Sequence, residues 1–226
     1  MQYHNMKTGI FIERPNRFIA YVMIEGKLEK CHVKNTGRCK ELLIEGVEVY
    51  VECHNDPKRK TQFSLIGVKK GNTLINMDSQ APNKVVMEWL KAGNLYPNPT
   101  FLKGEKTYGQ SRFDFYMEQL ERKCYIEVKG VTLEENGVAM FPDAPTERGV
   151  KHILELCKCM EDGYEAYIIF VIQMKGIKEF RPNTIRQPEF HQALIEANKK
   201  GVKILAYDCI VTENSLIIDQ EIPISL

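Results

Sequence analysis

The hydrophobic pattern of this 226-residue chain changes its period at Pro82, and that change limits what the chain can fold into. Before Pro82, short runs of alternating or β-branched residues recur between turn residues, at 8–13, 18–24, 28–33, 47–53, 62–68 and 73–77. The turns are Pro15-Asn16, Glu25-Gly26, Asn55-Asp56-Pro57 and Lys70-Gly71-Asn72. One helical piece, 38–43, precedes Gly46. Strands so spaced around a single helix predict an all-β, OB-fold-like barrel over residues 1–82, and an SH3-like barrel fits the same pattern.

From residue 83 to 226 helices alternate with strands, which predicts an α/β domain with a mixed sheet. Asn83 is placed to cap a first helix that carries Val85, Val86, Trp89 and Leu90 and stops at Gly93. A strand near 105–108 and a hairpin follow. Thr146 and Glu147 open a second helix, in which Val150, Ile153, Leu154, Cys157 and Met160 recur at spacings of three and four before Gly163. The near-continuous apolar run 167–172 predicts a strand covered on both faces. A third helix, 188–200, ends at Gly201, and 202–207 returns as a strand.

With 43% apolar residues the chain can bury a core without a disulfide or metal staple. No run approaches the roughly 18 apolar residues of a membrane span, and the first residues lack the apolar stretch of a signal peptide, so a cytoplasmic location is expected. Seven cysteines, with no C-x-x-C pair, read as small buried hydrophobes of a reducing compartment. Net charge is +1, but residues 1–82 hold 13 Lys/Arg against 9 Asp/Glu, which makes the front of the chain the better candidate for phosphate contact.

The chemistry concentrates in the hairpin. Glu127 and Lys129 point the same way along one strand, while Ile126 and Val128 point into a core. If Leu120 and Glu121 form the tip, residues whose numbers total 241 face each other, and Asp114 falls opposite Glu127. Directly opposed side chains lie about 4.5 to 5.5 Å apart at Cβ, close enough to share one hard cation, Mg²⁺ or Mn²⁺. Asp114, Glu127 and the Val128 carbonyl are the expected ligands, with Glu88 a further acid if the first helix packs over the sheet edge. Lys129 would orient or deprotonate an attacking water or stabilise a phosphorane. E-x-K alone carries little information, because a solvated strand face looks the same.

Cations and amides near turns give the phosphate candidates: Arg14 and Arg17 beside Phe18, Asn35 and Arg38 after His32, and Arg112 before Asp114. Arg148, Lys151 and His152, near the start of the second helix, would meet phosphate where free backbone amides favour it. The bland alternative for each is a solvated loop or helix face.

The segments RPNRF (14–18), HVKNTGR (32–38), YGQSRFDF (108–115), EVKGVTL (127–133) and FPDAPTERGVKH (141–152) resemble the sugar fermentation stimulation protein A (SfsA) family across nearly the whole chain. The resemblance implies an N-terminal OB fold, a C-terminal domain like the PD-(D/E)xK nucleases, and DNA binding without sequence preference. It also implies a regulatory role in sugar, especially maltose, use. It assigns the nuclease-like positions to Asp114, Glu127 and Lys129, with Glu88 and Glu105 at further acidic positions of the family. Lys34, Cys39 and Gln187 stand where Pro, Met and Asp are usual. Two functions follow as expectations: a Mg²⁺- or Mn²⁺-dependent DNA endonuclease or exonuclease, or a non-catalytic DNA-binding regulator on a nuclease-like frame. The expected partners are double-stranded DNA and, as one option, a second copy of the chain, with no membrane.

Overall fold

The front of the chain forms β1 (Met6–Asn16), β2 (Ile19–Ile24), β3 (Lys27–Val33), β4 (Glu48–Cys53), β5 (Phe63–Lys70) and β6 (Thr73–Asn76) in the computed structural model, which describes residues 1–226 apart from Thr36 and Arg38. The strands run in the order β3-β2-β1-β4-β5-β6, and β3 pairs again with β5 in parallel, from Cys31↔Phe63 to Val33↔Leu65. That second pairing closes β1 to β5 into an OB barrel and settles the choice against the SH3-like alternative. Val22, Ile24, Cys31, Val33, Val49, Val51, Leu65 and Val68 fill its interior. Gly9 is required where β1 crosses β2: a Cβ there would stand 2.5 Å from Val22 Cγ1. The helical piece expected at 38–43 is a single turn, in which the Leu43 N–H reaches the Cys39 carbonyl at 2.9 Å. Cys39 has φ +46, and a left-handed residue cannot continue into a right-handed helix.

Two compact units result, the first comprising Met1–Ala81, Gln173–Lys175 and Cys209–Ile217, and the second the remainder. Within the first, the buried Gln173 amide donates to the Asn76 carbonyl and side-chain oxygen at 3.0 Å and to the Asp78 carbonyl at 3.1 Å. Tyr3 N–H bonds the Asn214 carbonyl at 2.7 Å. Asp78, fully buried, is neutralised by Lys34 at 3.0 Å.

The second unit contains α1 (Ala81–Lys91), β7 (Phe101–Tyr108), β8 (Ser111–Gln119), β9 (Arg122–Val131), β10 (Leu133–Glu135) and β11 (Val138–Phe141). It continues through α2 (Glu147–Glu161), β12 (Glu165–Ile172), β13 (Glu179–Pro182), α3 (Pro188–Lys199), β14 (Lys203–Thr212) and β15 (Ser215–Glu221), of which Cys209–Ile217 count with the first unit. Its main sheet has the order β15-β14-β12-β9-β8-β7, antiparallel through β7, β8 and β9 and parallel where β12 joins β9 and β14, as the alternating pattern predicts. Trp89 packs on Tyr207 and Tyr96 on Tyr167, so α1 and the loop after it cover the face that also carries Ile126 and Val128. Phe190 of α3 meets Phe170, and His152 of α2 meets Glu127, on the opposite face. The small sheet β10-β11-β13 and the strand β15 were not expected from the sequence. Asn136-Gly137, at the β10–β11 turn, is the hairpin signal that marks the first pair.

Candidate functional site

Hairpin β8–β9 turns at Leu120-Glu121 and pairs from Gln119↔Arg122 to Phe115↔Ile126, the register that alternation requires. The next pair would be Asp114 with Glu127, but the ladder ends before it, at Phe115↔Ile126. On the other side, β7 and β8 pair at Gly104↔Phe115 and Lys106↔Phe113 but skip Glu105 and Asp114, and Glu105 has φ +55. Tyr116 and Phe113 both lie on Tyr125, at 4.9 and 5.6 Å, although three positions apart along β8. Strict alternation therefore fails at Asp114, contrary to expectation. The local irregularity re-aims the side chain, as bulges do.

Released from the ladder, Asp114 satisfies two donors. Its Oδ1 accepts from Asn83 Nδ2 at 2.7 Å and its Oδ2 from the Val128 N–H at 2.8 Å, which gives that amide the partner the ladder leaves out. Asn83 is thus the third residue of α1, holding an acid, and not the cap expected from sequence. Glu127 is buried, and its Oε1 takes both Lys129 Nζ and His152 Nδ1 at 2.6 Å. Its Oε2 is buried with no hydrogen-bond partner.

Burial, and then the negative charge of Glu127, raise the Asp114 pKa above its usual value against the pull of the Val128 amide and Asn83. Burial would raise Glu127 too, but the His152 bond and the Lys129 charge outweigh it and hold Glu127 below the ordinary range. A carboxylate oxygen sealed from water without a donor is costly. Two carboxylates that sense each other's charge, one with an unpartnered oxygen, are an oxygen-donor set that fits a hard divalent cation.

Among the described residues no three His, Cys, Asp or Glu side chains gather as ligands, so Glu88 does not join the pair. It is exposed on α1, about 140° around the axis from Asn83 at 3.6 residues per turn. Val128 engages Asp114 through its amide.

The cationic candidates separate by what they touch. Arg14 ties its own loop, donating to the carbonyls of Gly37, Arg17 and Asn35, and the Asn35 side chain accepts the Gly37 N–H. Arg17 lies over the exposed Phe18 ring at 5.6 Å, beside a cleft of about 480 Å³ that Lys40 also lines. Arg38 lies outside the described residues. Arg112 pairs loosely with Glu105 at 3.4 Å, both exposed, and Lys151 reaches the Gln110 carbonyl at 3.4 Å. Arg148 Nε donates to His152 Nε2 at 3.3 Å. Sequence reasoning made Asn83 a helix cap and turned His152 toward phosphate, and placed neither beside the acids it touches. The i, i+4 spacing of Arg148 and His152 behind the Thr146 cap is the signal for the second.

A model of the sugar fermentation stimulation protein RE domain matches residues 80–215, and one of the SfsA N-terminal OB domain matches 12–77. The chain belongs to the SfsA family. Sugar fermentation stimulation protein homologues from Ruminiclostridium cellulolyticum and Clostridium beijerinckii are 61% and 58% identical, over 100% and 96% of each chain. The solved structure of Pyrococcus furiosus SfsA, described as a complex with Ca²⁺, superposes with a TM-score of 0.91 at 28% identity, covering 100% of this chain and 98% of that one. Among the described residues of this SfsA family member no helix is long and apolar enough to cross a membrane.

Proposed function

We propose that this chain is a DNA-binding protein whose second unit holds Mg²⁺ or Mn²⁺ at Asp114 and Glu127 for phosphodiester hydrolysis. The observation that carries the reading is the buried, unpartnered Oε2 of Glu127 beside the charge-coupled Asp114. The Ca²⁺ complex of the P. furiosus relative supports it, since Ca²⁺ takes the same oxygen donors. When bound, the cation supplies Lewis-acid charge to the scissile phosphate. The chain's own residues do the rest: Asn83 and the Val128 amide fix Asp114, and the Lys129 ammonium, 2.6 Å from Glu127, offers positive charge to phosphate and a proton at Nζ. All seven cysteines are free thiols, which suits a cytoplasmic location.

Incubating supercoiled and linear DNA with Mg²⁺ or Mn²⁺ tests the catalytic reading. Cleavage that stops with chelator, and that Lys129→Ala or Asp114→Asn slows by about 100-fold or more, is expected. DNA left intact across cations, strands and pH removes it. Arg17 over the exposed Phe18 ring favours the second reading, DNA binding without turnover. The family description, sugar fermentation stimulation, is what supports a regulatory role in sugar use.

A further inference from the structure

Glu127 is held by a chain of donors that begins on α2. An arginine Nε–H can only donate, so the ring nitrogen of His152 that faces Arg148, Nε2, is an acceptor and carries no proton. The ring proton of neutral His152 then sits on Nδ1, aimed at Glu127 Oε1 across 2.6 Å. Phe113, with its centroid 5.9 Å from the imidazole, and the burial of the ring fix its plane. Lys129 arrives at the same oxygen. One carboxylate oxygen is therefore doubly engaged while the other has no partner, an asymmetry that a carboxylate turning freely about its last torsion would not keep.

We infer that Arg148 and His152 are positioning residues: they lock the Glu127 carboxylate so that Oε2 is presented, already stripped of water, to the cation. The inference rests on the cation site proposed above. Arg148 thereby acquires a role inside the protein in place of the DNA contact expected from its sequence position. Partners of this kind around metal ligands are typically worth about 10- to 100-fold in affinity.

Titration calorimetry of Mn²⁺ into the metal-free full chain tests it. His152→Ala is expected to weaken Mn²⁺ binding by about tenfold or more and Arg148→Ala by less, while His152→Asn, whose amide donor falls where Nδ1 was, stays within about threefold of wild type. Wild-type affinity in His152→Ala, or an Asn variant as weak as the Ala one, overturns the positioning role and leaves the cation site standing. A wild-type chain that takes up no Mn²⁺ overturns both. Should His152→Ala fail to fold, the Asn and Gln variants decide: Gln carries its amide near Nε2, so Asn is expected to bind about fivefold tighter, and equal affinities overturn the inference.

Discussion

Asp114 and Glu127 respond to protons in opposite directions. Asp114 has a folded pKa raised above 3.8, so the stability linked to it is complete below that pH and is lost as pH rises through the folded value. Glu127, lowered from 4.5, contributes stability above 4.5 that is lost as pH falls through its folded value. Without a cation, ionised Asp114 is thus a liability near neutrality. Asp114→Asn keeps an acceptor for the Val128 amide and removes the charge, so at pH 7 it is expected to raise the melting temperature of the metal-free protein. The rise should be roughly 2 to 4 °C for each kcal/mol of relieved repulsion, and Mn²⁺ binding should disappear. Melting curves with and without Mn²⁺ check both, and a lower melting temperature in the metal-free variant would count against the charge argument. The hairpin register that leads up to these acids was legible in the sequence because strand register follows from period two and a tip at Leu120-Glu121. The re-aiming of Asp114 was not, because it depends on the left-handed backbone of Glu105 on another strand. Arg14 and Asn35 read as phosphate contacts for a similar reason: a cation near a turn looks the same whether it meets a ligand or its own loop's carbonyls.

Among the elements, α2 carries the positioning residues, and its start is tightly built. Thr146 Oγ1 accepts the Gly149 N–H at 3.0 Å, and a Cβ on Gly149 would stand 2.8 Å from Thr146 Cγ2 and 3.2 Å from Phe190. Gly149→Ala is expected to cost about 1 to 3 kcal/mol by overpacking, read from chemical denaturation. Gln187 accepts the Thr146 N–H at 2.9 Å and so holds the same corner. At the outer ends of β9 and β12, Arg122 grips Glu165 with two bonds of 2.7 and 3.0 Å while stacking over Tyr96 at 4.0 Å. The Arg122 bond is the main cause that lowers Glu165 to about 2. The pair is partly exposed and screened, so Glu165→Gln should cost only about 0.5 to 1 kcal/mol at pH 7. That cost should shrink as pH falls from 4.5 toward 2, where wild type loses the same charge. The long periodic segments α2, α3 and β12 were readable because each buries a continuous stripe or run. The three- and four-residue strands β10, β11 and β13 are too short to show a period, and the β11–β13 pairing joins residues about 40 positions apart.

For the molecule as a whole, the division of labour rests on charge. The cationic excess of residues 1–82 and the Arg17–Phe18 stack make the barrel the expected DNA-gripping surface. Arg17→Ala should weaken binding to all sequences about equally and reduce the slope of log affinity against log salt by about 1, measured by fluorescence anisotropy. An unchanged salt slope would move the grip elsewhere. The change of grammar at Pro82 made both fold types legible, yet it does not mark where the first unit is completed. That unit draws in Gln173, which satisfies Asn76 and Asp78, and Asn214, which holds Tyr3. During synthesis the ribosome has therefore to deliver the chain as far as Asn214 before the front barrel acquires its last internal bonds. A fragment ending at Pro82 leaves those polar groups unanswered, and it is expected to melt earlier and less cooperatively than the same residues do within the full chain.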